Sequence, residues 1–317
     1  MPISSGLNRD FEAIGIRVDV RGSPEQRVPC PLCAKARLAK ARLDRALGVN
    51  IMTGAFHCFR CNWSGCAGNE STGPRRPIIR IDDPAIARRK RERLRRTMQE
   101  SVALSDPKGQ PVCAYLESRA LGEILRRPPT VLRAHPGLTY WDGSRDLGRY
   151  PAMLALFYGR SGQAVTVHVT YLRRDGSAKA GVPSPKKMLG VPVPGATRGG
   201  AIHLFEPRDG TLGIDEGIES ALSMHILHRL PVWAAFCADN LARVHLPLKL
   251  RELHIGMDID VSGKGQQVAQ ALAARVRKCS PPTKVLIVKP DVDGHGDLND
   301  QLRRRRAANA STQAQPL

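Results

Sequence analysis

Thr211-Leu-Gly213-Ile-Asp215-Glu216-Gly217 and, further along, Leu253-His-Ile-Gly-Met-Asp258-Ile-Asp260 are the two stretches on which the fold turns. Each is an apolar run of strand length that ends in acidic residues. Such runs are the pattern of buried parallel strands, and open α/β sheets bind ligands beyond the carboxyl ends of their strands. Asp258 and Asp260 are two residues apart, so an extended chain projects them to the same side. Glu216 arrives beside them from a neighbouring strand, and Gly217 lets backbone or phosphate come close. Three converging carboxylates repel one another unless a cation lies between them, and oxygen-only ligation suits magnesium or manganese. Such ions bind nucleotide phosphates and stabilise charge in phosphoryl transfer. Asp297, with Asn299 and Asp300 in Gly296-Asp-Leu-Asn-Asp300, is placed to complete the set. Taken singly, an acidic residue is most often a cap or turn residue, which is how Asp291 and Asp293 read. The order of the motifs is what carries the signal.

Outward from these stretches, strands and helices alternate. Strand Thr211–Asp215, helix Ile218–Arg229, strands Val232–Phe236 and Leu253–Asp258, helix Gln266–Lys278 and strand Lys284–Val288 follow in turn. The rhythm predicts an α/β class, a mainly parallel sheet with helices on both faces, over residues 209–302. Residues 105–208 read as a basic α+β segment. It holds a helix at Val112–Leu121, a core-length run at Pro151–Tyr158 and an alternating strand at Ala164–Leu172. The turn Arg174-Asp-Gly-Ser177 makes that strand the arm of a hairpin. The tail, 303–317, opens with four consecutive arginines and is expected to be disordered. No internal repeat is visible.

At the other end, residues 1–22 form a lead without clear signal, and residues 23–69 hold five of the eight cysteines. Cys30-Pro-Leu-Cys33 and Cys58-Phe-Arg-Cys61 are two CxxC knuckles, whose turns each aim two thiolates at one point. Together they predict a four-sulfur zinc ribbon. His57 and Cys66 are substitute ligands, read as lying outside the first shell. Zinc supplies folding energy to a segment too small for a core of its own. Phe56, Phe59 and Trp63 crowd the second knuckle. They either stack unpaired bases, Trp63 foremost and with Arg60 beside it, or form the ribbon's small core. Lys35, Arg37, Lys40, Arg42 and Arg45 between the knuckles either grip phosphates or face solvent on a short helix. Cys113, Cys237 and Cys279 read as core thiols.

Charge supports an anionic partner. The 317 residues carry 49 Lys+Arg against 29 Asp+Glu, a net +20 with an isoelectric point near 10.2. Residues 70–104 read as a basic linker and a helix at 85–104; Arg75 to Arg96 alone has ten basic residues against three acidic. A surplus this large points to nucleic acid or an anionic membrane surface. No apolar run approaches the ~18 residues of a membrane span and no signal-peptide core is seen, so a cytoplasmic nucleic-acid partner is expected.

On these motifs, residues 209–302 resemble a TOPRIM domain, the metal-binding fold shared by bacterial primases, topoisomerases and some nucleases. The family's glutamate falls on Glu216, its DxD pair on Asp258 and Asp260, and a later acidic position on Asp297. With the ribbon, the chain from about 28 to 302 resembles the DnaG-like primases of phages and plasmids. The resemblance implies two-metal nucleotidyl transfer, joining ribonucleoside triphosphates into a primer on a single-stranded DNA template. It also implies that the hairpin around Thr166–Lys179 and Lys186-Lys187-Met-Leu-Gly190 holds template and nucleotide. Lys187 best matches the family lysine, with Lys186 the alternative and Arg173, His168 and Arg174 nearby. The plain reading beside it is a solvated basic hairpin. Val261-Ser-Gly-Lys-Gly265, after the DxD pair, is more polar than the family's usual small pair and is read as loop variation. No G-x-x-x-x-G-K-[ST] motif occurs, so a replicative helicase is expected to be a separate chain. The rivals are a TOPRIM nuclease using the same carboxylates and a non-enzymatic zinc and TOPRIM recombination mediator. A topoisomerase needs a tyrosine on a further large domain.

Overall fold

The computed structural model describes residues 10–31, 45–58, 63–67, 84–193, 195–278 and 282–313. They divide into two compact units, one of residues up to 78 with 139–149 and 181–185, the other of 79–138, 150–180 and 186–317.

In the first unit β1 (Glu25–Val28), β2 (Leu47–Asn50), β3 (Ala55–Cys58) and β4 (Ser64–Cys66) form an antiparallel sheet in sequence order. Leu47 and Val49 are buried while Gly48 and Asn50, alternating with them, are less so, which puts the core on one face. That core is small: Phe11, Ile16, Val28, Ile51 and Phe56, with Cys30 and Cys58 among them. Phe56 lies opposite Gly65, where a Cβ would sit 2.7 Å from the ring, so a larger residue there would have to displace the ring. Trp63 is half-buried with its ring centroid 4.6 Å from that of Phe56. Of the three aromatics, Phe56 is therefore core and Trp63 leans on it; Phe59 lies outside the described residues.

The second unit opens with α1 (Pro84–Gln99) and α2 (Gln110–Ser118). The basic helix was expected to run to 104 but stops at Gln99. The Ser101 hydroxyl donates to the Met98 carbonyl at 2.7 Å, and Val102 pairs with Ala134. A sheet follows in the order β5 (Leu132–Asp142), β6 (Arg145–Tyr158), β7 (Ala164–Tyr171), β8 (Lys186–Met188), of which residues 139–149 are counted with the first unit. The expected turn is present: the Gly176 N–H donates to the Arg173 carbonyl at 3.0 Å.

The remaining elements are β9 (Ile202–His203), β10 (Thr211–Asp215), α3 (Ile218–His228), β11 (Val232–Ala234), α4 (Ala238–Leu241), β12 (Glu252–Gly256), α5 (Lys264–Arg277), β13 (Lys284–Val288) and α6 (Leu298–Gln313). Their sheet runs β13-β12-β10-β11-β9 and is parallel except for β9 at the edge. Strand alternation divides the core. Leu212, Ile214, Leu253 and Ile255 face α5, while Val232 and Ala234 face α3 and α6. This is the α/β architecture that the sequence predicts.

The tail differs from expectation. It is helical to Gln313 rather than disordered from 303. Asp297 accepts from the Asn299 and Asp300 N–H groups at 2.7 and 2.9 Å, and Leu298 and Leu302 are buried. A capped start and an apolar anchor suffice to organise an arginine- and alanine-rich segment of good helix propensity. Among the described residues no helix is long and apolar enough to cross a membrane.

Candidate active site

The site sits where β10 and β12, adjacent and parallel, reach their carboxyl ends. Asp215 closes β10 and is fully buried. Its carboxylate lies over β12 at Gly256, where a Cβ would come within 1.8 Å of Oδ2. The Gly217 N–H reaches Oδ1 at 3.4 Å, and Oδ2 has no hydrogen-bond partner. Glu216 follows in the loop to α3, its carbonyl accepting from the Phe236 N–H at 2.8 Å. Phe236 holds a left-handed backbone (φ 76°), a strained conformation for a bulky residue and one that concentrates near functional sites.

Asp258 and Asp260 leave β12 towards α5. Gly265 packs so closely that a Cβ there would sit 2.3 Å from the Asp258 carbonyl oxygen. Asp260 accepts from the Gly265 and Lys264 N–H groups at 2.9 and 3.3 Å and from the Ser262 hydroxyl. The polar segment after the DxD pair is therefore the cradle that fixes Asp260 on the first turn of α5. Asp297 is brought in by a bridge between Ile259 and Gly296.

These groups share one field. Burial first, then Asp258, Asp297 and Glu216, hold the Asp215 carboxyl well above the usual range. Burial, Glu216, Asp297 and Asp260 push Asp258 up to about 7. Burial raises Glu216 too, against the pull of Lys264 and Lys186. For Asp260 burial is outweighed by its hydrogen bonds, which hold it below the usual range. The expected set is thus gathered but not closed on one point. Among the described residues no three His, Cys, Asp or Glu side chains are placed to hold one ion. Asp215 is tucked under Gly256, Asp260 is engaged by α5, and Asp297 caps α6. Asn299 is buried and donates to the Arg119 carbonyl and the Ser223 hydroxyl, a packing role, and Asp300 is partly exposed.

Facing the carboxylates is a second cluster that the sequence reading missed. Glu219, on the first turn of α3, is buried and binds Lys186 Nζ at 2.8 Å and Lys179 Nζ at 3.6 Å. The Tyr115 hydroxyl donates to it at 2.6 Å. Burial alone raises Glu219, but Lys186 and Lys179 overcome it and hold the carboxyl far below its ordinary value. Burial and the neighbouring Lys186 lower Lys179 to about 8. The available signal was a lone acid inside the apolar run Ile218–Leu227, which needs a buried partner.

Of the two candidate lysines, it is Lys186 that reaches this cluster. Lys187 is next along β8, and strand alternation turns it to the other face, its Nζ 5.6 Å from the Tyr171 ring centre. His168 is not on a surface that a template can touch. It is buried, its Nδ1 has no partner, and burial and Lys186 lower its pKa to about 3. Arg173 and Arg174 stand exposed at the hairpin turn. Of the zinc set, Cys30 and Cys58 are buried after β1 and at the end of β3, while Cys33, Cys61, Phe59 and Arg60 lie outside the described residues. Cys66 Sγ is turned to the Thr53 carbonyl at 3.2 Å. Cys113 and Cys237 are half-buried rather than core, and Cys279 lies outside the described residues.

The model of the Toprim domain family matches residues 211–308, and that of a family described as a domain of unknown function (DUF7146) matches residues 88–199. No curated protein matches the chain. Among solved structures it is similar to the primase fragment of the bacteriophage T7 primase-helicase protein (13% identity, 92% of this chain and 99% of that one, TM-score 0.39). It is also similar to a DNA primase domain from Pseudomonas aeruginosa (13%, 73% and 78%, 0.42) and to the zinc-binding and RNA polymerase domains of the Aquifex aeolicus primase (14%, 98% and 86%, 0.37). The family match over residues 211–308 and the acidic residues at its strand ends make this part of the chain a Toprim domain.

Proposed function

We propose that the chain is a DNA primase, joining ribonucleotides into short RNA primers on a single-stranded DNA template. The observation that carries this reading is the facing of opposite charges within the second unit. Lys186 acts on both Glu216 and Asp258, the acids at the ends of β10 and β12. A triphosphate needs that combination of a cation-holding acidic set and a fixed basic group.

The donor set fits a hard divalent cation: every group is a carboxylate, and the buried Asp215 Oδ2 has no partner. Glu216, Asp258 and Asp260, with Asp297 beside them, would hold magnesium or manganese. Bound there, such ions supply charge neutralisation to the triphosphate and activation to the primer 3′-hydroxyl. The chain's own residues do the positioning. Glu219 fixes the Lys186 ammonium, Arg173 on the hairpin turn reaches for phosphate, and α5 holds Asp260 ionised. No side-chain nucleophile is required, because catalysis rests on positioning and electrostatics.

Cys30, Cys33, Cys58 and Cys61 would hold a structural zinc ion that completes the small core of the first unit. Trp63, with Phe59 and Arg60, and Arg174 would meet the template. A separate helicase would unwind the duplex of a phage or plasmid replicon. The test is incubation with single-stranded DNA, four ribonucleotides and magnesium. Template-dependent oligoribonucleotides are expected from the wild type, and at least about 100-fold fewer from Asp258→Ala/Asp260→Ala. Lys186→Met is expected to lose about tenfold or more, and Lys187→Met less than about threefold. Carboxylate-dependent cutting of the DNA without RNA synthesis would replace this reading with the nuclease.

A further inference from the structure

A cavity of 470 Å³ in the second unit lies apart from the carboxylates and is lined by Arg160, Arg198, Arg243, Arg275 and His245 around Gly199. Among the described residues no acidic side chain lines it. Among the described residues Arg160, Arg198 and Arg243 make no ion pair. The Arg275 guanidinium is spent in part on the Val244 carbonyl, at 2.6 Å. Guanidinium groups brought into one cavity raise each other's electrostatic energy, and an anion between them offsets it.

The convergence is built into the backbone. Gly199 has φ +75°, and a Cβ there would lie 2.9 Å from both the Arg243 carbonyl and the His245 ring. The Asn240 side chain accepts from the Gly199 N–H at 2.7 Å and donates to the Gly200 and Ala235 carbonyls at 2.7 and 2.9 Å. The His245 N–H donates to the Gly199 carbonyl at 2.7 Å. Two separate segments, 198–200 and 240–245, are thus clamped at a glycine and each presents an arginine to the same space, while the Arg160 Cγ stands 3.4 Å from the same Cβ position and Arg275 is tied to the Val244 carbonyl. Burial, Arg160 and Arg275 lower the His245 pKa, which reports the same concentration of positive charge.

We infer that this cavity is a binding site for phosphate groups, either the diphosphate and triphosphate of a nucleotide or the backbone of single-stranded nucleic acid. Planar guanidinium groups bind phosphate oxygens through paired hydrogen bonds, and several around one cavity suit an anion of more than one charge. The inference does not depend on the primase reading.

The test uses the full chain without added divalent cation, so that metal does not draw phosphate to the carboxylates. Inorganic pyrophosphate is titrated by calorimetry and fluorescein-labelled dT12 by anisotropy. The variant Arg198→Gln/Arg243→Gln is compared with Arg126→Gln/Arg127→Gln, an exposed pair with the same loss of charge. Should the first fail to fold, Arg160→Gln/Arg198→Gln takes its place. The cavity variant is expected to bind at least one probe about tenfold or more weakly, with the control within about twofold of wild type. Loss for pyrophosphate alone assigns the cavity to nucleotide phosphates. Loss for dT12, with a salt slope reduced by about 1.4 for two contacts, assigns it to the polynucleotide backbone. Equal behaviour of cavity variant and control towards both probes overturns the inference.

Discussion

Two buried acidic groups flank the start of α3, and the chain treats them in opposite ways. Glu219 is completed from within: two ammonium groups and a phenol hydroxyl meet its oxygens, and its acidity is strengthened. Asp215, four residues earlier, is surrounded by other acids, its Oδ2 meets nothing, and its acidity is weakened. Burial is shared, so it is not what separates them. The difference is whether the counter-charge is supplied by the fold or left to a ligand. A finished ion cluster stabilises; an unfinished one stores unfavourable energy that a bound cation would release.

The widest gap should come from removing the finished acid. Glu219→Leu leaves Lys186 and Lys179 without their partner and is expected to cost about 3 kcal/mol, read by urea unfolding at pH 7. The lysines are about one-third exposed, which keeps the figure at the low end of the range for buried pairs. Because the folded-state pKa of Glu219 is depressed, its contribution is present above the ordinary carboxylate value and lost as the pH falls through the folded value. The gap between wild type and Glu219→Leu should therefore narrow on acidification below about pH 4. An unchanged gap there would mean that packing, not charge, supports the cluster.

The unfinished acid should respond with the opposite sign. At pH 8 and without divalent metal, Asp215→Asn is expected to raise the melting temperature by about 3 °C, on the order of 1 kcal/mol. A loss of stability would show that Asp215 already has its counter-charge and would dissolve the contrast. The smallest effect belongs to Tyr115→Phe, which removes one hydrogen bond of a cluster that keeps both its ammonium groups and is expected to cost about 0.5 kcal/mol in the same unfolding assay. Combined with Glu219→Leu it should add almost nothing, since the partner is already gone.

Much of this was legible in the chain. The parallel strands announce themselves because their apolar runs end in acids, and the same pattern singles out Glu216, Asp258 and Asp260. The long strand Leu132–Asp142 was not, because Pro136 and the polar residues beside it break the alternation. It is an edge strand of its sheet, where proline is tolerated. Glu219 escaped because its partners are far off in sequence, Lys186 thirty-three residues back and Tyr115 one hundred and four. Only the fold brings them together. The choice between Lys187 and Lys186 meets the same limit: two adjacent lysines differ by which face of a strand they take, and local sequence does not fix the register.

Gly256 has a consequence for how such chains vary. Its missing Cβ accommodates not its own backbone but a neighbour's carboxylate, 1.8 Å from where the carbon would stand. Positions 215 and 256 are thus one steric unit. With aspartate at 215, any side chain at 256 meets its carboxylate, and only a smaller residue at 215 makes room for one.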